Sequence, residues 1–350
     1  MGFTRKRRGA VAALALLTVL SLTGMTVANA TAADAAKRKI KKVAVLVAGD
    51  RNDGGFYQGQ VDALKKSAKK NHYKLIVIDK VGIGTSTEAF ENAGRQKPDI
   101  IISTGQELQD GFNAVCEDPQ FQGIFFLGIA AFPPQCKGAA HAIADDYQAH
   151  YLAGVAAAEI LKATGHPGGI VATVAGPQLN FVTDDNDAFK EGLKATDPNA
   201  TFKIVFTGDF ENAALASEAA KAQIDQGANL LYPYLGGALI AVVEAANQAG
   251  VPVLATSIDG CGIPPPGPQF AGSVLFNPAP FYADLVSRYI KGKLKAGQFL
   301  VYHIDWPGLG ANICKATPEQ QKVLDNVRKK LINGQIKVSN TPFKESKTKK

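Results

Sequence analysis

The sequence predicts an α/β protein of two lobes, each a mostly parallel sheet flanked by helices. Three observations predict it. Residues 43–82 read as a strand, a loop rich in Gly and Asp, a helix and a strand (VAVLVAGD, RNDGGFYQ, GQVDALKKSAKKN, YKLIVID), and residues 170–208 repeat that order (IVATVAG, PQLNFVT, DDNDAFKEGLKAT, FKIVFTG). Each copy is followed by a further unit of the same design, PDIIISTGQELQDGFNAVCEDPQFQGIFFLGI and GANLLYPYLGGALIAVVEAANQAGVPVLATSID. Apolar runs alternating with helical patterns need crossover helices on the faces of a parallel sheet. The body of roughly 300 residues also exceeds the size at which one core stops growing. Ligands of such sheets sit beyond the carboxyl ends of the strands, so the cleft between the lobes is the expected site.

The first strand is expected at 42–48. The helix near 56–70 places Phe56, Val61, Leu64 and Ala68 on one stripe. Strands follow at 74–79, 99–103, 123–128 and 140–144. The helical pattern 146–162, ended by Gly165 and Pro167, carries the chain into a second lobe with helices near 185–195, 212–226 and 238–249. Pro252 and the prolines between 264 and 268 punctuate the exit. The strand 272–276, the helix 280–295 and the last helix, 318–333, are expected to return. The lobes then comprise 42–145 plus about 270–335, and 146–269, and the crossings between them form a hinge.

Residues 1–30 read as a signal peptide. Arg5, Lys6, Arg7 and Arg8 precede an apolar run from Ala10 to Leu22, and Ala28-Asn29-Ala30 fits a cleavage site. That run is shorter than the roughly 20 residues needed to cross a bilayer. Export to a periplasmic or extracellular, envelope-associated location is expected, with cleavage near Ala30 and 31–41 as linker. The net charge of +7 dissolves on partition: the leader contributes +4 and the basic tail, 336–350, contributes +3 after Phe343, leaving the body near zero. A nucleic-acid-binding face is therefore not expected. Four cysteines in an oxidising compartment favour two disulfides, and the preferred pairs are Cys116 with Cys136, which flank one strand-and-loop unit, and Cys261 with Cys314. With no C-x-x-C pair, and no spacing such as H-E-x-x-H among His72, His141, His150, His166 and His303, no metal and no cofactor are assigned.

Candidate ligand contacts follow strand ends. Asp53, with Gly54 and Gly55, lies between a buried strand and a helix, where backbone N–H groups point outward. An ordinary turn and cap would use the same residues. Phe56 and Tyr57 follow, placed to stack on a planar ligand, with Phe56 also suited to packing inward. Ser103, Thr104, Gly105 and Gln106 end the next strand, and Tyr232, Tyr234, Leu235, Gly236 and Gly237 are their counterparts in the second lobe. Asp259 ends VPVLATSID, where a carboxylate can accept from vicinal hydroxyls or cap a loop. The run Thr183-Asp184-Asp185-Asn186-Asp187 lacks the D-x-D-x-D-G spacing of a calcium loop and reads as a helix cap. Trp306 reads as core.

With these segments aligned, the chain resembles the basic membrane protein family of ABC-transporter substrate-binding proteins, the group that contains the purine nucleoside receptor lipoproteins. The resemblance covers most of 42–310 and rests on NDGGFYQGQVDALKKSA, DIIISTG, DYQAHYLAGVAAAEI and QGANLLYPYLGGALIAVVEAANQAGVPVLATSID. It implies a type I periplasmic-binding fold, capture by lobe closure, and delivery to a membrane permease driven by a separate ATPase. It further implies a purine nucleoside ligand, with Asp53 near the base, Phe56 or Tyr57 stacking, and Asp259 or its neighbours on the ribose. The chain departs from the family pattern at Tyr57, where Asn is usual, at 106–109, at Ser257, and at Phe276 and Asn277, where a basic residue is expected. Leu22-Thr23-Gly24-Met25 matches a lipoprotein box with Met in place of the lipidated Cys.

The expected function is a monomeric, non-enzymatic solute receptor of an ABC importer; the alternative is a sensory component that presents its closed state to a membrane receptor. An exported hydrolase is disfavoured by the lack of a G-x-S-x-G elbow. A repressor is disfavoured by a leader where a DNA-binding segment would stand.

Overall fold

The computed structural model of the protein describes residues 38–53, 56–129, 136–256, 258–276 and 279–339. The expected signal peptide, most of the linker and most of the tail lie outside them, as do Gly54, Gly55, Ser257 and Asn277. The chain runs β1 (Lys42–Val47), α1 (Phe56–Asn71), β2 (Lys74–Ile78), α2 (Ser86–Arg95), β3 (Ile100–Thr104), α3 (Gln109–Glu117), β4 (Phe125–Ile129), β5 (Ala139–Ala144) and α4 (Asp146–Ala163). It continues through β6 (Ile170–Ala175), α5 (Asn180–Thr196), β7 (Thr201–Phe206), α6 (Ala213–Asp225), β8 (Leu230–Leu231), α7 (Leu239–Ala249), β9 (Leu254–Ala255) and β10 (Gly272–Phe276). It ends with α8 (Ala279–Ile290), β11 (Phe299–Tyr302), β12 (Leu309–Ile313) and α9 (Pro318–Ile332). No helix among the described residues is long and apolar enough to cross a membrane.

The first sheet has the order β11-β5-β4-β3-β1-β2, with every pairing parallel. A parallel sheet is buried on both faces, and β1 shows this residue by residue. Val43, Val45 and Val47 enter one core with α1 and α8, while Ala44 and Leu46 enter another with α2 and α3. Each of these valines, and Leu46, contributes about 1.5–3 kcal/mol through burial. The second lobe is built on two three-stranded sheets, β7-β6-β8 and β12-β10-β9, joined edge to edge by a parallel bridge between Leu231 and Val253. Val171 and Leu230 face a core with α4, α5 and α9; Val174 and Leu231 face another with α6 and α7.

Helix ends follow local chemistry. Thr317 and Gln320 form a reciprocal capping box at the start of α9, with Pro318 in its first turn. Asn212 caps α6 by accepting from Leu215 N. Helices α4 and α5 lie unusually close: a Cβ on Gly154 would collide with the Phe189 carbonyl, and one on Gly192 with the Tyr151 carbonyl. Only hydrogen at those two positions lets the backbones meet.

The expected return of 270–335 to the first lobe needs correction. Strand β10 pairs in parallel with β9 and antiparallel with β12, so both belong to the second sheet system, and α9 packs on α4. Only α8 and β11 return. A short apolar strand carries no mark of the sheet edge it joins, and the strip beyond β9 accepts it. The chain therefore passes between lobes three times: after β5, after β10 and after β11. Two passages are tied together, since Asp145 N donates to Tyr302 O at 2.7 Å, His303 Nδ1 lies 3.0 Å from Asp145 Oδ2, and Ile304 N donates to Gln148 Oε1 at 3.1 Å.

Both preferred disulfides are present. Cys116–Cys136 ties the end of α3 to the segment before β5, and Cys261–Cys314 ties the turn after β9 to the end of β12. The acidic run 184–187 is not a helix cap: α5 begins at Asn180, which places Asp185 in its second turn, buried. Trp306 packs edge-on against Tyr302 with ring centroids 4.6 Å apart, as the core reading expects.

Candidate functional site: an aromatic and acidic interlobe cavity

Segments at or just beyond the carboxyl ends of seven strands wall one cavity of about 130 Å³. A single water needs only about a tenth of that. From the first sheet come Phe56 and Tyr57 after β1, Gly105 to Glu107 after β3, and Ile143 and Ala144 at the end of β5. The second contributes Phe181 after β6, Phe210 and Glu211 after β7, Tyr234 to Gly236 after β8, and Phe276 at the end of β10. Asp146, Tyr147 and His150 of α4 and Asp185 of α5 complete the wall.

Aromatic rings form the broad faces. Phe56 stacks on Phe276 with centroids 5.7 Å apart and planes 21° apart, bringing together the two sheet systems. On the second lobe Phe181 stacks on Phe210 (6.4 Å, 22°), and Tyr234 stacks on His150 (5.6 Å, 28°). Carboxyl groups occupy the gaps. The Tyr57 hydroxyl donates to Glu107 Oε1 at 2.8 Å; burial pushes both groups above their ordinary values, so Tyr57 stays a neutral donor. Gly105 makes that turn possible: its φ is 100°, and a Cβ there would meet the Glu107 carboxylate.

The deepest polar group is Asp146, His150 and Asp185, whose ligand atoms lie within 4.8 Å of one another. Asp185 is 1% exposed; its Oδ2 accepts from the Tyr234 hydroxyl at 2.6 Å, whereas its Oδ1 has no hydrogen-bond partner among the described residues. Burial, and the Asp145 charge beside it, push Asp146 up to about 7; burial and Asp146 likewise raise Asp185. Burial holds His150 down at about 3, so its ring is neutral. His150 Nδ1 is hydrogen bonded with the Tyr232 hydroxyl, and Nε2 lies 3.6 Å from Asp185 Oδ2.

Of the residues singled out from sequence, the structure brings together Phe56, Tyr57, Gly105, Gln106, Tyr234, Gly236 and Phe276 in this wall. Others stand outside it. Asp53 caps α1, accepting from Tyr57 N at 3.1 Å and Gln58 N at 2.9 Å. Thr104 is fully buried and donates to Leu46 O, locking β3 to β1. Gly237 N donates to Glu211 Oε1 at 3.1 Å. Asp259 is exposed beside the Cys261 disulfide and accepts from Asn312 Nδ2 at 3.1 Å. Sequence reasoning passed over Glu107, Asp146, Tyr147, His150, Phe181, Asp185, Phe210 and Glu211. The available signal was Asp146 and His150, four apart in a mostly apolar helix, DYQAHYLAGVAAAEI.

Residues 40–342 match the profile of Bmp, the PnrA-like substrate-binding proteins of ABC transporters. The chain belongs to the Bmp family. Among relatives, a purine-binding protein of Brucella abortus (strain 2308) is 21% identical over 205 residues, covering 57% of this chain and 54% of that protein. A putative ABC transporter glucose-binding protein of Haloferax volcanii is 26% identical over 166 residues, covering 47% of this chain and 40% of that one. The chain thus spans about half the length of these curated relatives, or less. The crystal structure of an ABC transporter solute-binding protein from Aeropyrum pernix K1 superposes with a TM-score of 0.74 at 16% identity, covering 86% of this chain and 94% of that one. That likeness fixes the fold as the two-lobed type I periplasmic-binding architecture, which this Bmp chain shares.

Proposed function

We propose that this protein is the extracytoplasmic solute-binding component of an ABC importer, and that it captures a small polar ligand of nucleoside size by closing its lobes around the aromatic and acidic cavity. One observation carries the reading: strand ends of both sheet systems converge on a single cavity, with Phe56 of one stacked on Phe276 of the other. A ligand held there touches both lobes, so its binding energy favours the closed arrangement. A planar ligand would lie among the rings of Phe56, Phe276 and Phe181, and its N–H and O–H donors would meet Asp146, Asp185 and Glu211. Membership in the Bmp family supports the receptor role and the permease as partner; the purine-binding relative supports a nucleoside ligand.

Capture needs no bond to break. The wall offers a neutral histidine beside a raised carboxyl but, among its described residues, no Ser, Thr or Cys that could act as a nucleophile. Thermal-shift screening of the protein against nucleosides, bases, sugars and amino acids tests the reading, because a specific ligand stabilises the folded form as the logarithm of its concentration over Kd. The expected result is a concentration-dependent rise in Tm with nucleosides that Phe56→Ala and Asp185→Asn each reduce. A rise that neither substitution alters would place the ligand elsewhere.

A further inference from the structure

The charge of the cavity wall is one-sided. It holds Glu107, Asp146, Asp185 and Glu211, and among its described residues no Lys or Arg. A site for a phosphate or carboxylate would need cationic or N–H donors facing inward. Here one residue of the wall stands out: Asp185, 1% exposed, accepts from Tyr234 at Oδ2 but leaves Oδ1 without a hydrogen bond among the described residues. Burying a carboxylate in that condition is costly unless a positive charge joins it. Asp146 stands in the same cluster, and two carboxyl groups so close cannot both ionise cheaply without a cation between them. The remaining wall is aromatic, and the faces of Phe, Tyr and Trp rings attract cations.

Resting on the reading of this cavity as the solute site, we propose that the protein selects organic cations: the positive charge seats against Asp146 and Asp185, and the body of the solute lies among Phe56, Phe276, Phe181 and Tyr234. In the empty site a proton takes the cation's place, which fits the raised Asp146 carboxyl. The same three groups could be offered to a divalent metal, but the aromatic rings that make up much of the remaining wall argue for the organic ion.

The test uses probe pairs matched in shape and different in charge, titrated calorimetrically near neutral pH: adenosine against 1-methyladenosine, which is a cation there, and 3,3-dimethylbutan-1-ol against choline. Adenosine 5′-monophosphate serves as the anion. The expected result is that each cation binds about tenfold or more tighter than its neutral partner, the scale of a cation held by rings and a carboxylate. The nucleotide is expected to give no measurable heat. The double substitution Asp146→Asn with Asp185→Asn is expected to erase the preference. Should that variant not fold, the two pairs on the unaltered protein still decide the matter.

Neutral partners binding as well as the cations would overturn the charge selection while leaving the receptor reading intact, as would binding of the nucleotide or of sugars alone. Mn²⁺ or Zn²⁺ binding to chelator-stripped protein, lost in the double variant, with no response to either cation, would overturn it in favour of a metal site. If no probe of any class binds, both readings fall together.

Discussion

The Tyr234 hydroxyl donates a 2.6 Å hydrogen bond to Asp185 Oδ2, joining the segment after β8 to the second turn of α5 at the wall of the cavity. Tyr234→Phe removes the donor and leaves a buried carboxyl short of a partner. A hydrogen bond to a charged group contributes about 1.5–3 kcal/mol, so a loss of that order in unfolding free energy is expected from urea denaturation. An unchanged denaturation midpoint would show that water replaces the hydroxyl.

Phe56 stands at the start of α1 with its ring over Phe276 and is only partly buried. Phe56→Ala is expected to weaken binding of a planar ligand by about 1–3 kcal/mol, the value of one ring stack. Titration calorimetry reads the loss, and the melting curve of the empty protein separates it from a fold defect.

The close approach of α4 and α5 depends on hydrogen at Gly154 and Gly192. Gly192→Ala sets a methyl group against the Tyr151 carbonyl, where main chain rather than a flexible side chain must yield. Overpacking of this kind costs about 1–3 kcal/mol, against which the helix-propensity gain of Ala over Gly is smaller. Chemical denaturation is expected to show net destabilisation.

The Asp146 carboxyl sets a pH dependence whose direction follows from burial. Its folded value is about 7, against the ordinary 3.8. Below the ordinary value both folded and unfolded chains hold the proton. Between that value and about 7 only the folded chain does, so this group's contribution to the stability of the empty protein falls as pH rises through the window. The groups around it are Asp145, Asp184, Asp185 and His150, with the hydroxyls of Tyr147, Tyr232 and Tyr234. His150 and His141, held by burial at about 3 and about 4, oppose the trend, since their stability contribution rises with pH toward the ordinary histidine value of 6.5. The difference between the protein and its Asp146→Asn variant isolates the carboxyl. Melting temperatures across this range are expected to diverge, with the variant gaining on the parent as pH rises.

Much of the fold was legible because its signals are local. The apolar runs of β1 and β3, the stripe of Phe56, Val61 and Leu64, and the doubled loop-and-helix units all declare themselves within a dozen residues. The site was half legible for the same reason: residues following strand ends, such as Gly105 and Tyr234, can be placed by topology alone. What escaped depends on distance. His150 and Asp185 sit inside helices, where a polar residue ordinarily faces water, and only the packing of α4 on α5 turns them inward, whereas Asp146 opens α4 two residues after β5, where an acid reads as an ordinary helix start. Asp53 and Asp259 have the right residue type at the right kind of position, yet local backbone and Asn312 claim their oxygens. Strands β8 and β9, two residues each, are too short to reveal that β10 and β12 would extend their sheet.

The passages after β5 and after β11 are bound to each other by Asp145, Tyr302, His303 and Gln148. Two ropes knotted side by side resist being twisted separately, so a shift of one passage carries the other with it. Since Asp146 adjoins Asp145, this acid of the cavity wall is carried by the knot rather than by the strands of either sheet.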